Sequence, residues 1–300
     1  MIRYPLDEEQ IRSNIVREDR TWFAKTARRT AKFKRERQYA EKAAIWSAAK
    51  PAFMIAQNNK CLFCERVFGS PDDSRIEMDL EHFRPKSSVM PWVRPEGADG
   101  YPADTGQGSG GYYWMAYDIS NYAASCKTCN TLHKSNCFPI AGTRRLQHDE
   151  VAELSSERPY LCYPLGNQDE DPENIITFTG TIAVPSAADG FNRQRGLLII
   201  DFFGLNRHDL LHVERAQAIE RFGSALLAVS ENRGSAADHT YVQQIGNPMI
   251  PHAGCVRAFF RLWQGDEQRG RRILTACRDM LAARLTAPSG TSFGGIGANF

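Results

Sequence analysis

Residues 61–64 read Cys-Leu-Phe-Cys and residues 126–129 read Cys-Lys-Thr-Cys. Thiolates two residues apart can bend around one ion, and zinc takes four such ligands in a tetrahedron. Two such pairs, Cys61/Cys64 and Cys126/Cys129, leave no coordination position for water, so the expected zinc centre is structural. Sixty-one residues separate Cys64 from Cys126. The ion would therefore clamp distant segments and contribute directly to folding. Cys137, Cys162, Cys255 and Cys277 show no pairing pattern and read as buried thiols. The opening MIRYPLDEEQIRSN lacks the basic-then-apolar order of a secretory signal, and no stretch approaches the ~18–20 apolar residues of a membrane span. A soluble, cytoplasmic chain with no membrane partner is expected, and in a reducing compartment paired cysteines hold metal more often than disulfides.

Between the cysteine pairs, residues 80–86 read Leu-Glu-His-Phe-Arg-Pro-Lys, with the Glu81-His82 step at the end of an expected strand. Asn121 follows in Asp-Ile-Ser-Asn, and Asn130 stands directly after Cys129. A histidine titrates near neutrality and can take a proton from water. A carboxylate and an amide oxygen suit a hard cation that keeps several waters.

In this order, the cysteine pair, acid-His-x-x-Pro, Asn and Cys-x-x-Cys-Asn resemble the HNH branch of the ββα-metal nucleases over residues 61–139. The finer wording, Glu-His-Phe-Arg-Pro-Lys and Cys-Lys-Thr-Cys-Asn with Phe138-Pro139, is similar to the HNH subunits of Septu-type anti-phage systems. Leu161-Cys162-Tyr163-Pro164, the Thr-Gly-Thr turn and Gly204-Leu205-Asn206-Arg207 extend that likeness to about residue 210. The resemblance implies that His82 is the general base. It implies that Glu81 and Asn130 hold a catalytic Mg²⁺ or Mn²⁺, and that Asn121 braces the loop that orients the histidine. It further implies DNA as substrate and an ATPase partner, which this chain does not supply itself because it contains no GxxxxGK[ST] motif. Arg84, Lys86 and Lys134 flank the site and are candidates for holding phosphates. Three departures from the pattern stand out. Glutamate replaces aspartate at position 81, the span from His82 to Asn121 is long, and His133 occupies the place of a lysine that is displaced to Lys134.

Beyond this region, residues 7–57 read as helical, with Pro51 interrupting the run. Between Lys25 and Lys42 stand eight basic residues against Glu36 and Glu41, which suits a solvated face, a phosphate-tracking surface or a docking arm for a partner protein. The run from Pro91 to Gly111 is too rich in Gly, Pro and Asp for regular structure. Asn174–Val184 reads as a hairpin about Thr179-Gly180. Gly190–Phe203, capped by Gly204, then His208–Val229, Cys255–Gln264 and Glu267–Leu285 read as helices, and Ser289–Phe300 as a loosely held tail. The expected architecture is α+β. It has an N-terminal basic helical arm (1–57), a ββα-metal module (58–145) and a mainly helical C-terminal region with one hairpin (146–300). Net charge is only +2, Lys+Arg 37 against Asp+Glu 35, so the total charge favours no nucleic-acid partner. Two other readings remain open on sequence alone: a non-catalytic zinc module binding nucleic acid or protein, and an RNA-directed nuclease.

Overall fold

The computed structural model describes residues 1–69, 76–145, 154–207, 209–287 and 294–297. The chain is mixed α/β, about half helical with small two-stranded sheets. It divides into two units. One comprises residues 3–63 with 68–170, and the other residues 171–300 with 1–2 and 64–67.

In the first unit, α1 (Glu8–Glu18) starts at Asp7, whose carboxylate accepts from the Gln10 amide at 2.9 Å. This satisfies one of the amides that a helix start leaves unpaired. Ile11 and Ile15, one turn apart, are buried. The second helix, α2 (Trp22–Glu36), buries Trp22, Thr26 and Phe33 and stops at Arg37 in the left-handed region (φ 52°). Some members of the basic run are engaged within the chain, while most of the run is exposed. Lys25 pairs with Asp19 at 2.8 Å, and Arg29 pairs with Glu41 and donates to the Ala43 carbonyl and the Tyr117 hydroxyl. Pro51 does not break a helix as expected; it sits in the first turn of α3 (Lys50–Ala56), behind a 3₁₀ turn at Trp46–Ala49. There its missing N–H costs no internal bond, and its fixed φ favours initiation.

The strands that follow position the site. β1 (Met78–His82) runs antiparallel to β4 (Tyr122–Cys126), with His82 opposite Tyr122 and Glu81 opposite Ala123. The free edge of β4 is satisfied by a side chain: Gln57 accepts from the Ala124 amide at 2.7 Å and donates to the Ala124 carbonyl at 2.8 Å. An amide side chain thereby imitates a neighbouring strand, as buried backbone groups require. Directly after β4 comes a π-helical segment, Thr128–Lys134, a rare winding that is frequent at functional sites. The long Gly/Pro-rich run leaves and returns through β2 (Ser88–Val89) paired with β3 (Ser109–Gly110). At Gly111 an added Cβ would overlap the Lys86 carbonyl group, so only glycine lets these backbones approach. The aromatic residues Trp114, Tyr117 and Tyr122 are buried and form part of this unit's core.

In the second unit, β5 (Ile176–Thr179) and β6 (Ile182–Pro185) form the expected hairpin, turning at Gly180 with φ +56°. Helix α4 (Gly190–Phe202) ends with Gly204 at φ +58°. Helices α5 (Asp209–Ser230), α6 (Ala236–Gln243), α7 (Ala253–Gly265) and α8 (Glu267–Thr286) follow. His208, expected to open α5, lies outside the described residues. Helix α6 starts with a reciprocal capping box between Ser235 and Asp238. Of the tail, residues 294–297 are held rather than loose. The Thr181 amide donates to the Ile296 carbonyl, and the Ile296 amide donates to Thr181 Oγ1, each at 2.8 Å. The remainder of Ser289–Phe300 falls outside the described residues. No helix is long and apolar enough to cross a membrane, among the described residues.

Candidate functional site

The four cysteines predicted to act together do converge. The ligand atoms of Cys61, Cys64, Cys126 and Cys129 all lie within 4.8 Å of one another, and all four residues are buried. Tetrahedral zinc with bonds of about 2.3 Å has sulfur–sulfur edges of about 3.8 Å. The cluster is close to that size and offers only soft thiolate donors, so its residues fit a structural zinc ion. Local backbone geometry supports the turn, with the Cys129 amide pointing at Cys126 Sγ at 3.4 Å and the Leu62 amide bound to the Ala124 carbonyl at 3.0 Å. Among the described residues this is the one group of three or more Cys, His, Asp or Glu side chains close enough to share an ion.

A cleft of about 420 Å³ opens beside the end of β1, lined by Trp46, Asp79, Glu81, His82, Lys86 and Asn130, among others. His82 is 5% exposed. Its Nε2 stands 3.0 Å from the Ala116 carbonyl, which also accepts from the Tyr122 hydroxyl at 2.7 Å. A carbonyl can only accept, so Nε2 carries the hydrogen and Nδ1 keeps a bare lone pair. Nδ1 makes no hydrogen bond among the described residues. The ring is packed edge-on between Trp46 and Tyr122, with centroids at 5.3 and 5.0 Å. Burial pushes the His82 pKa down to about 3, with the Lys86 charge adding to the effect, so the imidazole is neutral near pH 7.

The two carboxylates of β1 have different partners. Glu81 Oε1 lies 2.5 Å from Lys134 Nζ in a fully buried pair, and the same ammonium donates to the His82 carbonyl at 3.0 Å. Burial raises the Glu81 pKa, against the lowering pull of Lys134. Asp79 Oδ2 instead accepts from Asn130 Nδ2 at 3.2 Å. Asn121 does not line the cleft. Its Oδ1 accepts from the Arg84 amide at 2.7 Å, and its Nδ2 donates to the carbonyls of Arg84 (3.0 Å) and Met115 (3.3 Å). It thereby stitches the loop after His82 to the segment before β4.

The three predicted phosphate contacts fall in three different places. Lys86 lines the cleft with its ammonium 4.4 Å from the centre of the Trp46 ring. Burial lowers its pKa. Lys134 is buried against Glu81. Arg84 is outside the cleft lining, its guanidinium directed to the buried Glu157 at 3.3 Å and stacked over Phe138. Glu65, next to Cys64, is buried, accepting from the Gly254 amide at 3.2 Å and pairing with the Met1 amine at 2.8 Å. Among the cleft residues that sequence reasoning did not single out, Asp79 and Trp46 bear on the chemistry. Asp79 carried a signal, because the two-residue period of a strand puts it on the same face as Glu81. Trp46 carried none, since only the packing of the N-terminal segment brings it to His82.

Comparison with known proteins gives one informative relation. The chain is 32% identical over 164 residues to the Septu protein PtuB of Bacillus mycoides, an alignment covering 53% of this chain and 47% of that protein. The likeness to Septu proteins read from the motifs is thus also present as an alignment, and the chain spans about half the length of the curated relative it matches. No family model matches the chain, and no solved structure does.

Proposed function

We propose that this relative of the Septu proteins is an HNH-type endonuclease of anti-phage defence, hydrolysing phosphodiester bonds in DNA and acting beside an ATPase partner. One observation carries the reading: His82 is neutral and locked in a single tautomer. The residue lines a cleft that also offers carboxylate and amide oxygens. The antiparallel β1–β4 pair followed by a helical segment, next to a four-cysteine cluster, agrees with a ββα-metal module.

In the proposed reaction His82 Nδ1 takes a proton from water as the water oxygen attacks phosphorus, and the bond to the 3′ oxygen breaks. The Ala116 carbonyl keeps the ring oriented and stabilises the imidazolium that forms. Lys86 faces the incoming phosphate and offsets its charge. Asn121 acts at one remove, by fixing the backbone that follows His82. A divalent cation held by the cleft's oxygen donors would offset charge building on the phosphate in the transition state. Cys61, Cys64, Cys126 and Cys129 would hold zinc away from this step, as a structural staple.

The test is a plasmid-cleavage assay with the purified chain, alone and with the proposed ATPase partner, in Mg²⁺ or Mn²⁺, with RNA digested in parallel. DNA cleavage that disappears in His82→Ala is expected. Intact cleavage in that variant ends the proposal, and cleavage of RNA alone transfers the same chemistry to the other polymer. Tight DNA binding without cleavage under any metal favours a non-catalytic zinc module.

A further inference from the structure

The pattern that the sequence resembles puts the cation on the residue directly before the histidine, here Glu81, together with Asn130. The geometry around β1 divides the work differently. Asp79 and Glu81 are two residues apart on one strand, so both project to the same side, and both line the cleft. Glu81 is already neutralised: Lys134 Nζ lies 2.5 Å from its Oε1, and the ammonium is fully buried. That ammonium occupies a position from which a cation would approach Oε1. Moving it away would leave a buried charge unpaired.

Asp79 has no cationic partner among the described residues. Its Oδ2 instead stands 3.2 Å from the terminal amide nitrogen of Asn130. Mg²⁺ with octahedral bonds of about 2.1 Å needs adjacent donor atoms about 3.0 Å apart. The two side chains therefore already span one edge of such an octahedron. A half-turn about the last bond of Asn130 exchanges Nδ2 for Oδ1 with little change of shape, presenting a second oxygen. One carboxylate and one amide, with water in the remaining positions, is the donor set that Mg²⁺ accepts.

We propose that the divalent cation is seated by Asp79 and Asn130, and that Glu81 is a positioning residue rather than a ligand. The Glu81–Lys134 pair anchors the end of β1 by holding the His82 carbonyl, at 3.0 Å from Lys134 Nζ, and so sets the height of the imidazole. The chemical purpose of this seat rests on the nuclease reading; its location does not.

The test measures Mn²⁺ binding to the full, zinc-loaded chain by electron paramagnetic resonance, which needs no turnover. Asp79→Asn is expected to weaken Mn²⁺ binding at least about tenfold, the scale on which metal-site substitutions act. The double variant Glu81→Gln/Lys134→Met removes one negative and one positive charge together, and its folding is verified by thermal melting. It is expected to keep Mn²⁺ affinity within about threefold of the unsubstituted chain, while shifting the pH profile of cleavage. Loss of Mn²⁺ in the double variant with retention in Asp79→Asn overturns the assignment, as does an equal loss in both or no Mn²⁺ binding by the unsubstituted chain. The nuclease reading fails separately, if His82→Ala still cleaves DNA.

Discussion

Replacing Asn121 with alanine tests whether the loop after His82 is held by that one side chain. The change removes the acceptor of the Arg84 amide at 2.7 Å and the donor to the Arg84 and Met115 carbonyls at 3.0 and 3.3 Å. Asn121 is 1% exposed, so water does not replace these bonds readily. A buried group left without a partner costs about 1–3 kcal/mol. The amide loses its bond outright. The two carbonyls lose less, because each has a second lone pair and the Met115 bond is long. A loss of about 3 kcal/mol is therefore expected, or about 10 °C in melting temperature for a unit of this size. Urea unfolding with an unchanged m-value is the assay. Asn121→Asp keeps the acceptor but turns a carboxylate onto two carbonyls, and should be at least as destabilising at neutral pH. The DNA cleavage proposed above should fall in both variants at temperatures where they remain folded. A stability change below about 0.5 kcal/mol, the range of ordinary surface substitutions, would refute the bracing role.

Three further outcomes follow from the same geometry. The purified chain should carry one zinc per molecule, and Cys129→Ser should abolish it and lower the melting temperature; full occupancy in that variant would remove the tetrathiolate. Gly111→Ala should cost about 1–3 kcal/mol, typical of overpacking, because the new Cβ meets the Lys86 backbone rather than a flexible side chain; a neutral result would show that β2 and β3 can separate freely. Stability should fall with acidification through His212. Its Nε2 donates to the Asn206 carbonyl and its Nδ1 accepts from Thr181 Oγ1, and burial lowers its pKa below the ordinary 6.5. Between the folded and unfolded pKa values the unfolded chain binds more protons, so this contribution is fully present above about pH 6.5 and is lost as pH falls through the lowered value. His212→Gln, which has no such titration, should flatten that part of the stability curve, and an unchanged slope would count against it.

The cysteine cluster and the β5–β6 hairpin were legible in the sequence because their signals are local. Two residues between thiols fix a turn, and Thr179-Gly180 supplies the positive φ that the reversal needs. Pro51 was misread because proline at a helix start and proline breaking a helix look alike until the preceding turn is known. The site was legible in its parts rather than its pairings. Glu81, His82, Asn121 and Asn130 were named from motif order, yet which carboxylate Lys134 neutralises depends on how the π-helical segment packs across β1. Arg84 shows the same limit. Its sequence neighbours suggested a phosphate contact, whereas its guanidinium meets Glu157, 73 residues away. Ion pairs between segments that distant leave no periodicity behind.

The short β2–β3 ladder has a practical consequence. Because the polypeptide departs and re-enters at adjoining points, the exposed tip at residues 96–100 is spliced onto the scaffold like a branch on a trunk. Closing a longer loop costs only about 0.6 kcal/mol per doubling of its length. A reporter peptide or an affinity handle grafted between Glu96 and Gly100 would thus ride on the outside while the ladder absorbs the strain, providing a label on this unit without touching either chain terminus.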